Sequence, residues 1–292
     1  MIQRTILYLL LVFCSIAATA QTEPPATPAG EFYSATLIEG QQPIPFLPLR
    51  ESDIVWKTTL WKKIDLAELF NQYIFFPIDN PDPSGKKSLA YILWDAVVEN
   101  EIPIYEDDDL LVPLDNEVFV RKYTKADTIV LELGYDDDDN EMYLTTIQPH
   151  EFDGYDVRQY ALREVWFIGR QDTRQDSRRM ALAPTKKFYR KHGNMTEEEY
   201  VGIFPIFWVP MQHPAVRRLL ARYTAYIDDN NLALQPSWDN IFLSQRYETY
   251  ITRESNKYNR SISQYLTGED ALLRAQTIED KVFNIEADMW EY

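Results

Sequence analysis

The sequence predicts an α+β protein with a helical N-terminal part, a central and mainly antiparallel sheet, and a helical C-terminal part. Three patterns indicate this order. Apolar residues recur at helical spacing up to residue 100, alternate along strands over 128–209, and return to helical spacing from residue 214 onward. The chain of 292 residues, 45% of them hydrophobic, is long enough for one large domain or two small ones.

Residues 1–20 have the pattern of a secretory signal peptide. An early arginine precedes an apolar run from Ile6 to Ile16, and Ala18-Thr19-Ala20 is a small-residue cleavage pattern. The run is shorter than the about 20 apolar residues that a membrane-spanning helix needs. Cys14, the one cysteine, follows a phenylalanine, whereas a lipidated cysteine normally follows a small residue. We therefore expect cleavage after Ala20, a product without disulfides, and export to the periplasm.

Residues 21–50 are expected to form an extended, weakly ordered arm. Proline fixes φ and has no backbone N–H to donate, and the segment contains six prolines: Pro24, Pro25, Pro28, Pro43, Pro45 and Pro48. The arm is either a spacer or a strap that becomes ordered on a neighbouring subunit. Residues 51–292 are expected to be the folded part, with possible subdivisions near residues 125 and 212.

Two helical regions are predicted at the start of the folded part. The segment Asp53–Asn71 is interpreted as two short helices, the second capped by Asp65, because three apolar residues lie four apart: Trp56, Leu60 and Ile64. The segment Gly85–Asn100 has apolar residues at offsets 0, 3, 4, 7 and 8, which is one stripe along a helix.

Strands are predicted through the middle of the chain. Alternation over 128–133 and 142–147 predicts a hairpin with an acidic tip at 134–140. Val157–Ile168 predicts a longer strand, and its end is apolar on both faces, which is typical of a central position in a sheet. Two further strand candidates follow: Met180–Ala183 and Ile203–Val209.

Helices are predicted again in the last third. Pro214 suits the first helical position, and Trp238–Ile251 is interpreted as the next helix. In the terminal segment 271–289 the apolar residues step alternately by four and three, as in a coiled coil. The seam is short, so we expect this helix to dock on the domain's own core.

The sequence has no constellation that is typical of catalysis or metal binding. The three histidines lack metal-ligand spacing. The run Asp136–Asp139 fails as a calcium loop, because Glu141 and Ile147 stand where glycine and glutamate are needed. Phosphate-binding loops and nucleophile elbows are missing. We expect no enzyme activity, no metal and no cofactor. The alternative is a periplasmic hydrolase or carbohydrate-binding protein that uses acidic residues and some of the seven tryptophans.

Charge is distributed unevenly. The chain has a formal net charge of −17, which argues against nucleic acid as a partner. The stretch 158–191 nevertheless holds ten basic and three acidic residues, whereas the rest of the chain after residue 20 holds 18 basic and 43 acidic ones. This stretch is either a basic hairpin face balanced within the fold, or a docking face for an acidic surface of another copy. Head-to-tail contacts of that kind close into rings when the rotation between copies allows it. The candidate assembly residues are Arg178, Arg179, Lys186 and Lys187.

Several motifs in the C-terminal third are specific. They are Trp238-Asp239-Asn240-Ile241-Phe242, the block Glu254-Ser255-Asn256-Lys257-Tyr258-Asn259-Arg260 with Ile262 and Tyr265, Gly268-Glu269-Asp270-Ala271-Leu272, and the ending Glu286-Ala287-Asp288-Met289-Trp290-Glu291-Tyr292. Earlier elements agree with them: Asp53, Trp56, Trp61, Ile64-Asp65-Leu66, Asn71 and Glu164-Val165-Trp166-Phe167. Together they resemble the GldN/PorN family of the type IX secretion and gliding machinery, over residues 50–292. Val165, Arg253 and Ala287 depart from the family pattern.

The resemblance implies a non-enzymatic subunit in the periplasm, at the inner face of the outer membrane. Proteins similar to this one assemble in rings with an outer-membrane lipoprotein, GldK/PorK, and contact a motor protein, GldM/PorM. In the motif block, Glu254, Tyr258 and Tyr265 are expected on one side of a helix. The block either joins the terminal helices into one fold or forms the partner surface. Its candidate assembly residues are Arg246, Glu254, Asn256, Tyr258, Arg260 and Trp290.

Overall fold

The computed structural model describes residues 42–46, 48–77, 86–124, 127–135, 141–148, 152–170, 175–191, 198–225, 236–258 and 260–290. The predicted signal peptide and most of the predicted arm lie outside the described residues. Gln41–Tyr292 form one compact unit. The subdivisions near residues 125 and 212 stay predictions.

The fold is built on an antiparallel sheet with the strand order β10-β1-β6-β7-β8. These strands are β1 (Ile54–Asp65), β6 (Gln159–Gly169), β7 (Gln175–Lys191), β8 (Glu198–Pro205) and β10 (Tyr250–Glu254). The short strand β9 (Val209–Pro210) also pairs with β7. Two small hairpins lie outside this sheet: β2 (Ile104–Tyr105) with β3 (Pro113–Leu114), and β4 (Asp127–Tyr135) with β5 (Glu141–Gln148).

Six helices accompany the strands in the described part of the chain. They are α1 (Gln72–Phe75), α2 (Leu89–Val98), α3 (Asn116–Tyr123), α4 (Pro214–Arg222), α5 (Trp238–Ser244) and α6 (Glu269–Trp290). None of them, within the residues described, is long and apolar enough to cross a membrane. The predicted α+β class, with helices towards both ends and an antiparallel sheet between them, is confirmed.

The prediction of two helices over Asp53–Asn71 is wrong. Most of this segment is strand β1, and only a 3-10 turn at Leu69–Asn71 precedes the four-residue helix α1. The chosen signal could not separate the two structures, because residues four apart share a face in a strand as well as in a helix. Leu60, Lys62 and Ile64 are all buried, and that period of two identifies the strand.

The helix predicted over Trp238–Ile251 ends early. Helix α5 stops at Ser244, because Gln245 adopts a left-handed conformation with φ of 52°. Residues 245–249 form a turn and loop, and Tyr250 and Ile251, the last two residues of the predicted helix, belong to strand β10, which pairs with β1. The candidate strand Ile203–Val209 is likewise divided, since β8 ends at Pro205 and β9 begins at Val209.

Other local predictions are confirmed. Helix α2, the β4–β5 hairpin and the central position of β6 agree with the sequence patterns. His213 caps α4 by accepting a hydrogen bond from the backbone N–H of Ala215, with Pro214 at the first helical position. Asp136–Asp139, at the predicted hairpin tip, lie outside the described residues.

Two apolar clusters share one face of the sheet. The larger, called here the main core, unites α2, α4 and α5 with Ile64, Tyr160, Leu162 and Leu182 of the sheet. The smaller, called the terminal core, contains these buried residues: Leu60, Ile251, Ile262, Ala275, Ile278 and Val282. Three of those six belong to α6, so the expectation that this helix docks on its own domain is confirmed.

Candidate functional site

The four cations proposed as a basic docking face do not share one exposed surface. Arg179 is buried, so the prediction that it lies on this face is wrong. Arg178 is half-buried, with its guanidinium 4.9 Å from the ring centroid of Phe46. Lys186 is half-buried and forms an ion pair with Asp156, N to O 2.5 Å. Lys187 alone among the four is exposed.

Arg179 belongs to a buried ion cluster that also contains Lys62, Glu164 and Tyr247. The Glu164 carboxylate, 1% exposed, lies 3.0 Å from the Lys62 ammonium and 3.5 Å from Nε of Arg179. It also accepts hydrogen bonds from the indole N–H of Trp166 at 3.1 Å and from the Tyr247 hydroxyl at 3.3 Å. Arg179 Nε in turn donates to the Tyr247 hydroxyl at 3.1 Å. The carboxylate is thus held from four directions.

The electrostatics keep this carboxylate charged. Burial alone would raise the pKa of Glu164, but the charges of Lys62 and Arg179 and the hydrogen bonds from Lys62 and Trp166 lower it below its ordinary value. Burial, together with the nearby carboxylate of Glu164, raises the pKa of Tyr247, so its hydroxyl remains protonated. A carboxylate that is ionised at neutral pH and enclosed by two cations suits a structural role better than proton transfer.

The buried ion cluster lies between the two apolar clusters. Along β1, the alternate residues Leu60, Lys62 and Ile64 belong to the terminal core, the ion cluster and the main core in turn. Along β6 the same order is followed, since Leu162 packs in the main core and Trp166 against the terminal core. The Glu-x-Trp pattern at 164–166 therefore encodes an acid and the indole that donates to it.

A second buried ion pair joins α4 to α5. Arg217 donates from Nε and Nη2 to the two carboxylate oxygens of Asp239, at 3.0 and 2.9 Å. Arg217 Nη2 also donates to the backbone carbonyl of Ile44 at 2.7 Å, and its guanidinium stacks over Phe46 at 4.2 Å. The described end of the proline-rich arm is therefore fixed on the folded domain. Next to Asp239, Trp238 is fully buried, and the two account for the start of the Trp-Asp-Asn-Ile-Phe motif.

The acidic run before β3 folds back on the sheet. Asp108 accepts from the indole N–H of Trp61 and forms an ion pair with Arg253, N to O 2.6 Å. The Arg253 guanidinium lies 3.6 Å from the ring centroid of Trp61. Arg163 binds the Asp108 carbonyl at 3.0 Å and the Asp109 carboxylate at 3.1 Å. Two cations of the sheet are thus used to hold this loop.

The Glu-Ser-Asn block forms a turn, not the expected helix. Glu254 ends β10, and Asn256 organises the following residues: its Oδ1 accepts from the backbone N–H groups of Tyr258 and Arg260, at 3.0 and 3.3 Å. Its Nδ2 donates to the carbonyls of Glu254 and Arg260, both at 3.1 Å. Glu254 also pairs with Arg274 of α6 at 2.9 Å. We call residues 254–260 the asparagine turn.

The asparagine turn presents an aromatic and a cationic side chain. Tyr258 is 66% exposed, and the exposed Arg260 guanidinium lies 4.7 Å from its ring centroid. Tyr265, after a short 3-10 turn, is also exposed. Arg246 is half-buried at the end of α5, where its carbonyl accepts from the Tyr73 hydroxyl. Trp290 ends α6. Of the candidate residues, the structure therefore brings Glu254, Asn256, Tyr258 and Arg260 together.

The described residues contain no group of three or more histidine, cysteine or carboxylate side chains that could hold a metal ion. Their most buried acids, Glu164 and Asp239, are both paired with cations. The residues that sequence reasoning missed as structural centres are Glu164, Asp239 and Asp108. The first two lie inside the motifs quoted above, which was the available signal, and Asp108 lies in an acidic run with no distinguishing neighbour.

The fold and these contacts define a class of protein. It is an α+β domain whose buried charges join its elements together, and whose candidate surface residues are an aromatic and a cation on a braced turn.

The family model described as gliding motility associated protein GldN matches residues 49–291, nearly the whole chain. The chain belongs to the GldN family, and is therefore a component of the gliding motility and type IX secretion machinery. This family consists of structural secretion-system components and is not a known enzyme family. No curated protein matches the sequence.

Proposed function

We propose that this chain is a non-enzymatic scaffold subunit of the type IX secretion and gliding machinery, located in the periplasm after removal of residues 1–20. It assembles with an outer-membrane lipoprotein similar to GldK/PorK into rings at the inner face of that membrane. It also transmits motion from a motor protein similar to GldM/PorM. Membership in the GldN family supports this proposal.

The observation that carries the proposal is the construction of the asparagine turn. Four hydrogen bonds of Asn256 and the pair between Glu254 and Arg274 fix its backbone from behind. Tyr258 and Arg260 nevertheless point their side chains to solvent, where neither adds to the core. Exposed tyrosine and arginine on a rigid frame are typical of residues that dominate binding in protein interfaces. We infer that this turn meets the lipoprotein.

The proposal is tested by binding of the purified chain, lacking residues 1–20, to the lipoprotein's periplasmic domain. The double variant Tyr258→Ala with Arg260→Ala is expected to bind at least about tenfold more weakly, the effect of losing one or two interface hot spots. Its thermal midpoint should stay within about 2 °C of the parent, because both side chains are exposed. Binding is measured by biolayer interferometry and folding by circular dichroism.

The matched control is Arg218→Ala, which removes an exposed arginine from α4 instead. It should bind like the parent. Unchanged affinity in the turn variant would remove the asparagine turn from the interface. Failure of the parent chain to bind the lipoprotein at all, or to form large assemblies with it in light scattering, would overturn the scaffold proposal itself.

A further inference from the structure

Strand β8 is a long edge of the main sheet. It contributes eight residues, Glu198–Pro205, and pairs with β7 on one side only. Among the described residues no strand pairs with its outer side. An unpaired edge of this length presents a row of backbone donors and acceptors, and natural proteins normally shorten, charge or cover such an edge.

Two glutamates, Glu198 and Glu199, begin this strand, but most of the residues that follow them are apolar. Tyr200, Val201 and Phe204 are 52%, 45% and 47% exposed, and Phe188 of β7 is 43% exposed. The rings of Phe188 and Phe204 meet edge to face, with centroids 5.8 Å apart. The Phe204 ring also lies over Gly202, where a Cβ would come within 3.0 Å of it. Exposed apolar patches of this kind mark interaction sites.

We propose that β8 receives an added strand from a second copy of this chain, and that the donated strand is the segment 31–39 of the arm. This proposal rests on the proposed function, because it assigns a contact between the copies of the ring. In strand addition, backbone hydrogen bonds supply affinity and side chains at alternate positions supply specificity.

The composition of the donor segment fits this edge. It reads Glu-Phe-Tyr-Ser-Ala-Thr-Leu-Ile-Glu, nine residues against the eight of β8, and five of them are β-branched or aromatic or leucine. Residues 21–41 contain three glutamates and neither lysine nor arginine. Strand β7, which lies beside β8, contributes four cations at its end: Lys186, Lys187, Arg190 and Lys191. Glu199 and Glu198 of β8 stand opposite Arg190 and Lys191, and Lys186 is paired with Asp156, so the exposed Lys187 is the cation that an acidic strand would meet beside the apolar part of the edge.

The anchoring of the arm favours donation to another copy. Arg217 holds the carbonyl of Ile44, and Phe46 lies over Arg178, at the end of β7 away from β8. Phe188 follows ten residues further along β7, a distance of about 33 Å in an extended strand. The centre of the donor segment, Ala35, precedes Ile44 by nine residues, which span about 30 Å, so contact within one chain would need this stretch fully extended without slack. The β8 edge of a neighbouring copy can lie nearer to this anchor.

Such a contact is head-to-tail, because each copy donates at one place and accepts at another. Contacts of this type build closed rings when the rotation between copies allows it, and open filaments otherwise. The same contact would also cover the apolar edge of every subunit in the ring.

The test uses two variants of the chain that lacks residues 1–20. The donor variant, Thr36→Pro, removes a backbone donor from the middle of the segment. The acceptor variant, Val201→Glu with Phe204→Glu, places two negative charges on the half-exposed edge. The control, Leu272→Glu with Phe283→Glu, makes the same chemical change at two exposed positions of α6. Circular dichroism confirms that each variant is folded.

Self-association is measured by size-exclusion chromatography with light scattering over a range of concentrations. The parent and the control should associate alike, and each variant alone should associate at least about tenfold more weakly. An equimolar mixture of the two variants should form a complex of two chains, because one intact donor then meets one intact acceptor. A synthetic peptide of residues 29–41 should bind the donor variant and not the acceptor variant.

Three results would overturn the strand proposal: a parent chain that remains monomeric, undiminished association of either variant, or a mixture that stays monomeric. The last result is the one expected if the segment adds to β8 within its own chain. Binding of the donor variant to the lipoprotein is measured in parallel. Retained binding together with any of these results leaves the scaffold proposal standing and removes only the strand contact.

Discussion

Replacing Glu164 by glutamine should destabilise the domain strongly, although the two side chains have nearly the same shape. Trp166 and Tyr247 donate to different oxygens of Glu164, so glutamine keeps one of these two acceptors, and the change removes the charge and the other acceptor. It leaves the ammonium of Lys62 and the guanidinium of Arg179 buried without a counter-charge. Removing one partner of a buried ion pair costs about 3–5 kcal/mol. For a domain of this size that corresponds to a fall in the thermal midpoint of about 6–20 °C.

The measurement is urea unfolding at pH 7, followed by tryptophan fluorescence. The matched control is Glu101→Gln, which breaks the pair between Glu101 and the exposed Arg222. Pairs near the surface contribute about 0–1 kcal/mol, so the control should unfold close to the parent. If the free energy of unfolding of E164Q lies within about 1 kcal/mol of the parent, the ion cluster does not stabilise the fold as argued.

Three further predictions concern the same chain. Because the pKa of Glu164 is lowered in the folded state, its contribution to stability is complete above the ordinary glutamate range and is lost as the pH falls through the lowered value. The parent should therefore lose more free energy of unfolding than E164Q between pH 5 and pH 3, as measured by urea unfolding. Asp239→Asn should cost about 3–5 kcal/mol in the same assay, since it strands buried Arg217, and equal stability would contradict this. Asn256→Ala should weaken lipoprotein binding while lowering stability by about 1–3 kcal/mol, because the asparagine turn loses the hydrogen bonds that shape it; unaltered binding would show that its shape is irrelevant to the partner.

Local sequence patterns were sufficient to predict an element wherever its apolar residues followed a single period. The stripe of helix α2 and the alternation of β4 and β5 each allow a single interpretation, and β6 shows its central position by being apolar on both faces. The segment of β1 was ambiguous, because the spacing of Trp56, Leu60 and Ile64 satisfies a strand and a helix equally. Pairing with β6 and β10 decided between them.

The ion pairs could not be predicted, because the two partners of each pair lie far apart in the sequence. Glu164 lies 102 positions from Lys62 in the chain, and Asp108 lies 145 positions from Arg253. Strand register creates the first contact, and a folded-back loop the second. The basic stretch was visible as a count of charges, but a count does not tell that Arg179 faces inward while Lys187 faces solvent. The asparagine turn was found by its motif, although its conformation was not.

The division of the sheet's inner face into two apolar clusters has a mechanical consequence. Helix α6 packs on the small terminal core, which is bordered by ionised side chains that pair with each other. The apolar area that holds the helix is therefore small. Detaching the helix exposes only the terminal core to water, whereas unfolding the rest of the domain exposes the larger main core. Among the described elements we expect this contact to open first under tension, and amide hydrogen exchange along α6 tests that expectation.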